Sequence, residues 1–228
     1  MEIKDTTRTG RAKQQRSLET MSSFLQAAGE IFDEYGYAGA TLTMMQERAK
    51  VSRASVYYHF GSKEAVAERL LATQVEMSVA AEHPIKLQEI IDTTFLIGDL
   101  IKTNALLRGS IRLTTDQGTP FSIDTSTPYT SWLVHGQALL EQARAQGELL
   151  VTVDPARSAQ MLIGSFVGTQ LLSKAMSDRE DLRERLCVFY QHFLPALAIP
   201  GLIPVLDISP DRRVYEKAAA NSPELKAS

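Results

Sequence analysis

Between Val51 and Glu64 the chain reads VSRASVYYHFGSKE. Short hydroxyls at Ser52 and Ser55 flank the guanidinium of Arg53, and Tyr57, Tyr58, His59 and Phe60 follow without a break. At helical spacing Val51, Val56 and Phe60 share one face, which turns the hydroxyls, Arg53, Tyr57, Tyr58 and His59 outward. Such groups suit the major groove of duplex DNA. Arginine forks onto guanine, small hydroxyls reach phosphates or base edges without steric cost, and tyrosine hydroxyls reach phosphate oxygens from the groove lip. Lys63 adds a positive charge at the next helix start. The plainer alternative is a surface helix with an ordinary aromatic cluster.

Other chemistry finds no carrier. There is no Gly-rich phosphate loop, and GSFVG at 164–168 lacks the central serine of a nucleophile elbow. His83, His135 and His192 show no metal-ligand spacing with one another or with Cys187, so neither a metal nor another cofactor is expected. An enzyme is not the expected class.

A groove-reading helix needs a frame to present it. Met21, Phe24, Leu25, Ala28, Ile31, Phe32 and Tyr35 recur at three and four, the stripe of a long amphipathic helix that Gly36 can end. Thr41 or Thr43 can cap a short helix over MMQERAK, and Ser62 can cap the helix after the groove-reading segment. A helix-turn-helix results. Further helices are predicted over IKLQEIIDTTFLIGDLIK, NALLRGSIRL, Pro128 to Gln146, and Asp154 to about Met176, with a loop over TTDQGTPFSIDTSTP. Ser177 with Glu180 fits a capping box for a last helix, Arg179 to Leu197. No strand alternation is found; the fold class is all-α.

The net charge is −3 over 228 residues, but residues 1–63 carry nine Lys/Arg against seven Asp/Glu, and the remainder carries fifteen against twenty. A basic front on an acidic body suits a polyanion at one end and argues against non-specific DNA coating, which rests on phosphate neutralisation. With one cysteine and an N-terminus lacking an apolar signal, a cytoplasmic protein is expected, and the apolar run near Pro195, Pro200 and Pro204 is too short and broken to span a bilayer.

AGEIFDEYGYAGATLTMMQERAKVSRASVYYHFGSKEAV resembles the DNA-binding domain of the TetR family of bacterial repressors. The resemblance implies an N-terminal three-helix DNA-binding domain over 15–75; residues 1–14, with Lys4, Arg8, Arg11 and Lys13, read by composition as a flexible basic arm, either a solvated tail or a phosphate contact. The resemblance also implies a helical ligand-binding and dimerisation domain, placed over 76–205; the weakly periodic, polar stretch 206–228 reads as a tail. The DNA-facing set is then Thr41, Thr43, Lys50, Ser52, Arg53, Ser55, Tyr57, Tyr58, His59 and Lys63. Lys50 stands where the family usually has glycine, at a position often left-handed. A side chain there costs on the order of 1 kcal/mol and gives Lys50 a phosphate to reach.

The second half is similar to the γ-butyrolactone (autoregulator) receptors of actinomycetes, in LLRGSIRLTTDQGTPF, PYTSWLVHGQALLEQARAQGEL and FVGTQLLS. That resemblance implies that Trp132 walls a pocket and that Gln74 and Thr169 reach the same small hydrophobic ligand, of butanolide, butenolide or furan type. By its residue type alone a lone tryptophan fits a core position as well; Thr169 could bond a backbone carbonyl and Gln74 could be solvated. Gly164 and Gly168, four apart, together with Leu182, Leu186 and Phe189, read as a homodimer seam or as ordinary internal packing. The implied function is a repressor released from a pseudo-palindromic operator by an autoregulator, controlling antibiotic production or development. The alternative is a pseudo-receptor answering to an antibiotic or another hydrophobic molecule.

Overall fold

The computed structural model describes residues 6–76 and 81–212. Among these are α1 (Thr6–Gly39), α2 (Leu42–Ala49), α3 (Arg53–His59), α4 (Lys63–Glu76), α5 (Lys86–Thr103), α6 (Ala105–Thr115), α7 (Thr127–Ala145), α8 (Pro155–Ser177) and α9 (Leu182–Phe193). Two 3-10 turns follow, and the only extended pairing among the described residues is a single bridge between Leu149 and Ala198. The fold is all-α, as the periodicity predicts.

The chain forms two compact units, one of residues 1–74 with 104–126 and one of 75–103 with 127–228. Helix α6 therefore belongs with the first helices, whereas the sequence places it in a domain over 76–205. Helix α1 begins at Thr6, inside the stretch read as an arm over 1–14; Lys4 lies outside the described residues, as do the side chains of Arg8, Arg11 and Lys13.

The first unit closes over a core of Phe24, Ile31, Phe32, Met45, Val56, Val66 and Leu70, with the Phe60 ring packed at a tilt against Phe24, 4.9 Å between centres. Gly36 breaks α1 with φ 65, the left-handed turn that a glycine makes without Cβ strain, and Tyr37 N–H then donates to Asp116 at 3.2 Å. Thr41 caps α2 by accepting from Met44 N–H, and Ser52 caps α3 by accepting from Ser55 N–H. Lys50 ends α2 at φ 55, the left-handed position expected of it. Ser62 Oγ accepts from Ala65 N–H at the head of α4.

The second unit packs α5, α7, α8 and α9 as a bundle. Asp154 caps α8 with Pro155 in its first turn, and Gly147 turns the chain out of α7 at φ 74, both as predicted. The last helix differs. Asp178 and Arg179 are left-handed, so α8 ends there and α9 starts only at Leu182. Ser177 accordingly makes no capping box with Glu180; its hydroxyl bonds Asp181 at 2.7 Å. Residues 207–212, read as part of the tail over 206–228, bind back onto α5. Gln88 exchanges two hydrogen bonds with the Asp207 backbone, and Arg212 pairs with Asp92 at 2.7 Å. Residues 213–228 lie outside the described residues.

Candidate nucleic-acid and ligand sites

Seven of the ten residues predicted to face DNA are exposed: Thr41, Thr43, Lys50, Ser52, Arg53, Tyr57 and Tyr58. Val56 faces inward at 3% exposure and fixes the rotation of α3, so Tyr58 is left 85% exposed. Arg53 lies over the Tyr57 ring at 5.4 Å, a cation–π contact. The Thr41 and Ser52 oxygens accept their caps, which leaves each O–H as a donor for a phosphate oxygen.

The other three are half-buried. Ser55 lies beside the core, and His59 Nε2 lies 3.3 Å from Ser17 Oγ on α1, a partner the sequence did not suggest. Lys63 has turned inward. Its ammonium donates to the carbonyls of Tyr37 and Ala40, at 2.9 and 3.0 Å, and sits 4.2 Å from the Tyr37 ring centre. It satisfies carbonyls at the C-terminal end of α1, so its charge is already engaged. The Tyr37 hydroxyl donates to Glu64 at 2.9 Å; burial and that bond push the phenol up to about 12, while Glu64 is lowered by its own backbone N–H, Tyr37 and Ser62.

A cavity lies inside the second unit. Ile90, Thr93, Thr94 and Ile97 of α5 line it with Trp132, His135, Gly136 and Leu139 of α7 and Leu162, Ile163 and Phe166 of α8. The space between these side chains is narrow, with a volume of about 60 Å³. Trp132 lies edge-on to Tyr129 at 6.0 Å and is one of the residues lining this cavity. Thr93 was not picked out by the sequence; paired threonines on a helix carry no sign of which one faces a cavity.

The other two predicted ligand residues are placed elsewhere. Gln74 is buried in the first unit, where its Oε1 accepts from Ser110 at 2.5 Å. Thr169 lines a broad outer groove with Leu172, Arg185, Val188, Phe189 and Phe193, not the Trp132 cavity. The predicted seam is likewise divided. Leu182 and Leu186 are buried within the chain, close against Gly98 of α5. Gly164 and Gly168 are exposed, and a Cβ on either would meet nothing within 4 Å. Phe189 is half-buried and stacked on Phe193 at 5.1 Å. No His, Cys, Asp or Glu cluster among the described residues is arranged to hold a metal, and no described helix is long and apolar enough to cross a membrane.

Residues 24–70 match the family model of bacterial regulatory proteins, tetR family. The chain is 34% identical to the A-factor receptor protein of Streptomyces griseus over 209 residues, covering 92% of this chain and 74% of that one. Its fold is similar to that of the crystal structure of TylP, a TetR regulator from Streptomyces fradiae, at TM-score 0.82 and 37% identity, over 89% of this chain and 99% of that one. CprB of Streptomyces coelicolor, solved with its operator sequence, is similar in fold alone: TM-score 0.69, 23% identity, over 83% and 94% of the two chains.

Proposed function

The chain belongs to the TetR family of bacterial regulatory proteins, DNA-binding regulators rather than enzymes, and from that premise we propose that it is a cytoplasmic repressor released from DNA by a small hydrophobic ligand of the γ-butyrolactone type. Two copies bind one pseudo-palindromic operator. Each sets α3 into a major groove, with Arg53 on base edges and Lys50, Tyr57, Tyr58 and the capping hydroxyls on phosphates. The observation that carries the ligand half is the Trp132 cavity in the second unit, apolar in most of its lining.

The size of that cavity bears on mechanism. Ligand pockets commonly hold about 300–1,000 Å³, well above the water-accessible space between α5, α7 and α8. A lactone with an alkyl chain therefore fits only if these helices move apart, and it favours the state in which they have done so. Helix α5 runs into α6 with only Asn104 between them, which gives a displaced α5 a covalent route to the first unit. A hundredfold release of operator takes about 2.7 kcal/mol of differential affinity between the two states.

The test is selection of bound duplexes from a random pool, followed by gel retardation with and without a γ-butyrolactone bearing a hydroxyalkyl chain. The expected result is a two-fold symmetric site whose complex the lactone dissolves. Binding without sequence preference overturns the repressor reading; a specific complex indifferent to the lactone overturns the ligand class.

A further inference from the structure

Two neighbouring threonines on α5 have opposite surroundings. Thr94 Oγ1 donates to the Ile90 carbonyl at 2.9 Å and shares a 2.6 Å bond with the Tyr190 hydroxyl. Thr93 Oγ1 is buried without a hydrogen-bond partner, on the wall of the cavity. Trp132 Nε1, on α7 and lining the same cavity, is also buried without a partner. A buried polar atom left unpaired costs stability, and most are paired in folded proteins. Two of them in one mostly apolar cavity mark the place of a polar group that the protein itself does not supply.

We infer that Thr93 is a specificity-determining contact for the ligand, acting beside Trp132, and that the ligand's polar head is uncharged: an ester or lactone carbonyl with a second oxygen function close by, not a carboxylate. This rests on the ligand-responsive reading above. An indole N–H only donates, so the ligand must offer Trp132 an acceptor such as a carbonyl oxygen. A threonine hydroxyl donates or accepts, so Thr93 takes a hydroxyl or a ring oxygen. Ile90, Ile97, Leu139, Leu162 and Phe166 leave apolar wall for an alkyl chain.

The charge of the head follows from what the cavity lacks and what α5 has already committed. No lysine or arginine is among the lining residues, and His135 is their one ionisable side chain. The charged groups of α5 near this level are engaged with others: Glu89 with Lys86, Asp92 with Arg212 and Asp99 with Arg183. A carboxylate entering the cavity would be stripped of water with no lysine or arginine to receive it, which costs far more than burying a carbonyl.

The test compares the full-length protein with Thr93→Val, Thr93→Ser and Trp132→Phe. The probes are a γ-butyrolactone with a hydroxyalkyl chain and the hydroxycarboxylate salt made by opening its ring. Affinity is read by calorimetry, empty-state stability by thermal melting, and operator binding by gel retardation. The lactone is expected to bind about tenfold more weakly to Thr93→Val and to regain affinity in Thr93→Ser. The ring-opened salt is expected to bind at least about a hundredfold more weakly than the lactone. Empty Thr93→Val is expected to melt no lower than the parent, because its hydroxyl has no bond to lose. Undiminished lactone affinity in Thr93→Val, or a lowered melt before lactone is added, overturns the role of Thr93 and leaves the repressor reading standing. Salt binding as tight as lactone binding overturns the uncharged head. A protein that holds its operator but takes neither probe fails this inference and the ligand class together. One that takes the lactone through Thr93 but binds no operator upholds the contact and fails the repressor reading.

Discussion

A Cβ on Gly109 would lie 2.4 Å from the carbonyl oxygen of Gly29, so α1 and α6 cross backbone to backbone at these two glycines. The reverse holds as well: a Cβ on Gly29 would lie 2.5 Å from the Ala105 carbonyl oxygen. Neither neighbour is the end of a flexible side chain, so relief comes only from moving a whole helix. Gly109→Ala is expected to lower the unfolding free energy by at least about 1–3 kcal/mol. Gly118→Ala, where the new Cβ would make ordinary contacts at 3.4 Å and beyond, serves as control. Urea denaturation of both variants checks this; equal midpoints would mean that the crossing is loose.

The DNA-facing side chains separate by exposure. Arg53→Ala is expected to weaken specific operator binding by about 1–3 kcal/mol and relax one base position, with little change in melting temperature. Tyr57→Ala removes the ring under Arg53 and, with it, the phosphate contact proposed for its hydroxyl, and should follow Arg53→Ala in part. Lys63→Met is expected to behave differently, because its ammonium serves the Tyr37 and Ala40 carbonyls. It should destabilise the first unit and leave the salt dependence of operator binding per folded molecule unchanged. A salt slope lower by about one would return Lys63 to the phosphate contacts.

What was legible in the sequence was short-range. The caps at Thr41, Ser52, Ser62 and Asp154, the left-handed Lys50 and the inward Val56 each depend on neighbours within a turn or two. The resemblance singled out Trp132, and that residue lines the cavity of the second unit. The apolar stripe holding Leu182 and Leu186 does not say whether its partner is α5 or another chain, and the partner proved to be α5 around Gly98. The clasp of residues 207–212 on α5 is made of Gln88, Asp92 and Arg212, polar groups that hydrophobic periodicity passes over. The placement of α6 turned on two glycines eighty positions apart, Gly29 and Gly109, which leave no side-chain pattern to read.

Asp181 gives the fold a pH dependence of known sign. Its carboxylate accepts from Ser173 and Ser177 at 2.6 and 2.7 Å and pairs with Arg185 at 2.7 Å, which holds it down to about 2 against an ordinary 3.8. A carboxylate lowered on folding stabilises above its unfolded value and loses that contribution as pH falls through the folded one. The stability gap between the parent and Asp181→Asn is therefore expected to be full at about pH 5 and to shrink between about pH 4 and 2. Urea midpoints across that range check it; a gap independent of pH would mean that the variant loses only packing.

The outer face of α8 carries the dimer expectation. Met161, Gly164, Gly168, Leu172 and Met176 recur at three and four along it, all exposed, and Leu172 lines the outer groove together with Val188 and Phe189 of α9. A Cβ on Gly168 meets nothing within the chain, so Gly168→Leu is expected to leave the protomer's fold intact. On a face that a second copy covers, the same side chain overpacks by about 1–3 kcal/mol and shifts the monomer–dimer equilibrium. Leu186→Ala is the counterpart. Leu186 is fully buried against α5, so its truncation should cost the protomer about 2–5 kcal/mol of stability and reach the dimer only through unfolding. Sedimentation at micromolar concentration, set beside thermal melts, separates the two. A Gly168→Leu protein that stays dimeric with the parent's dissociation constant would move the seam off this face.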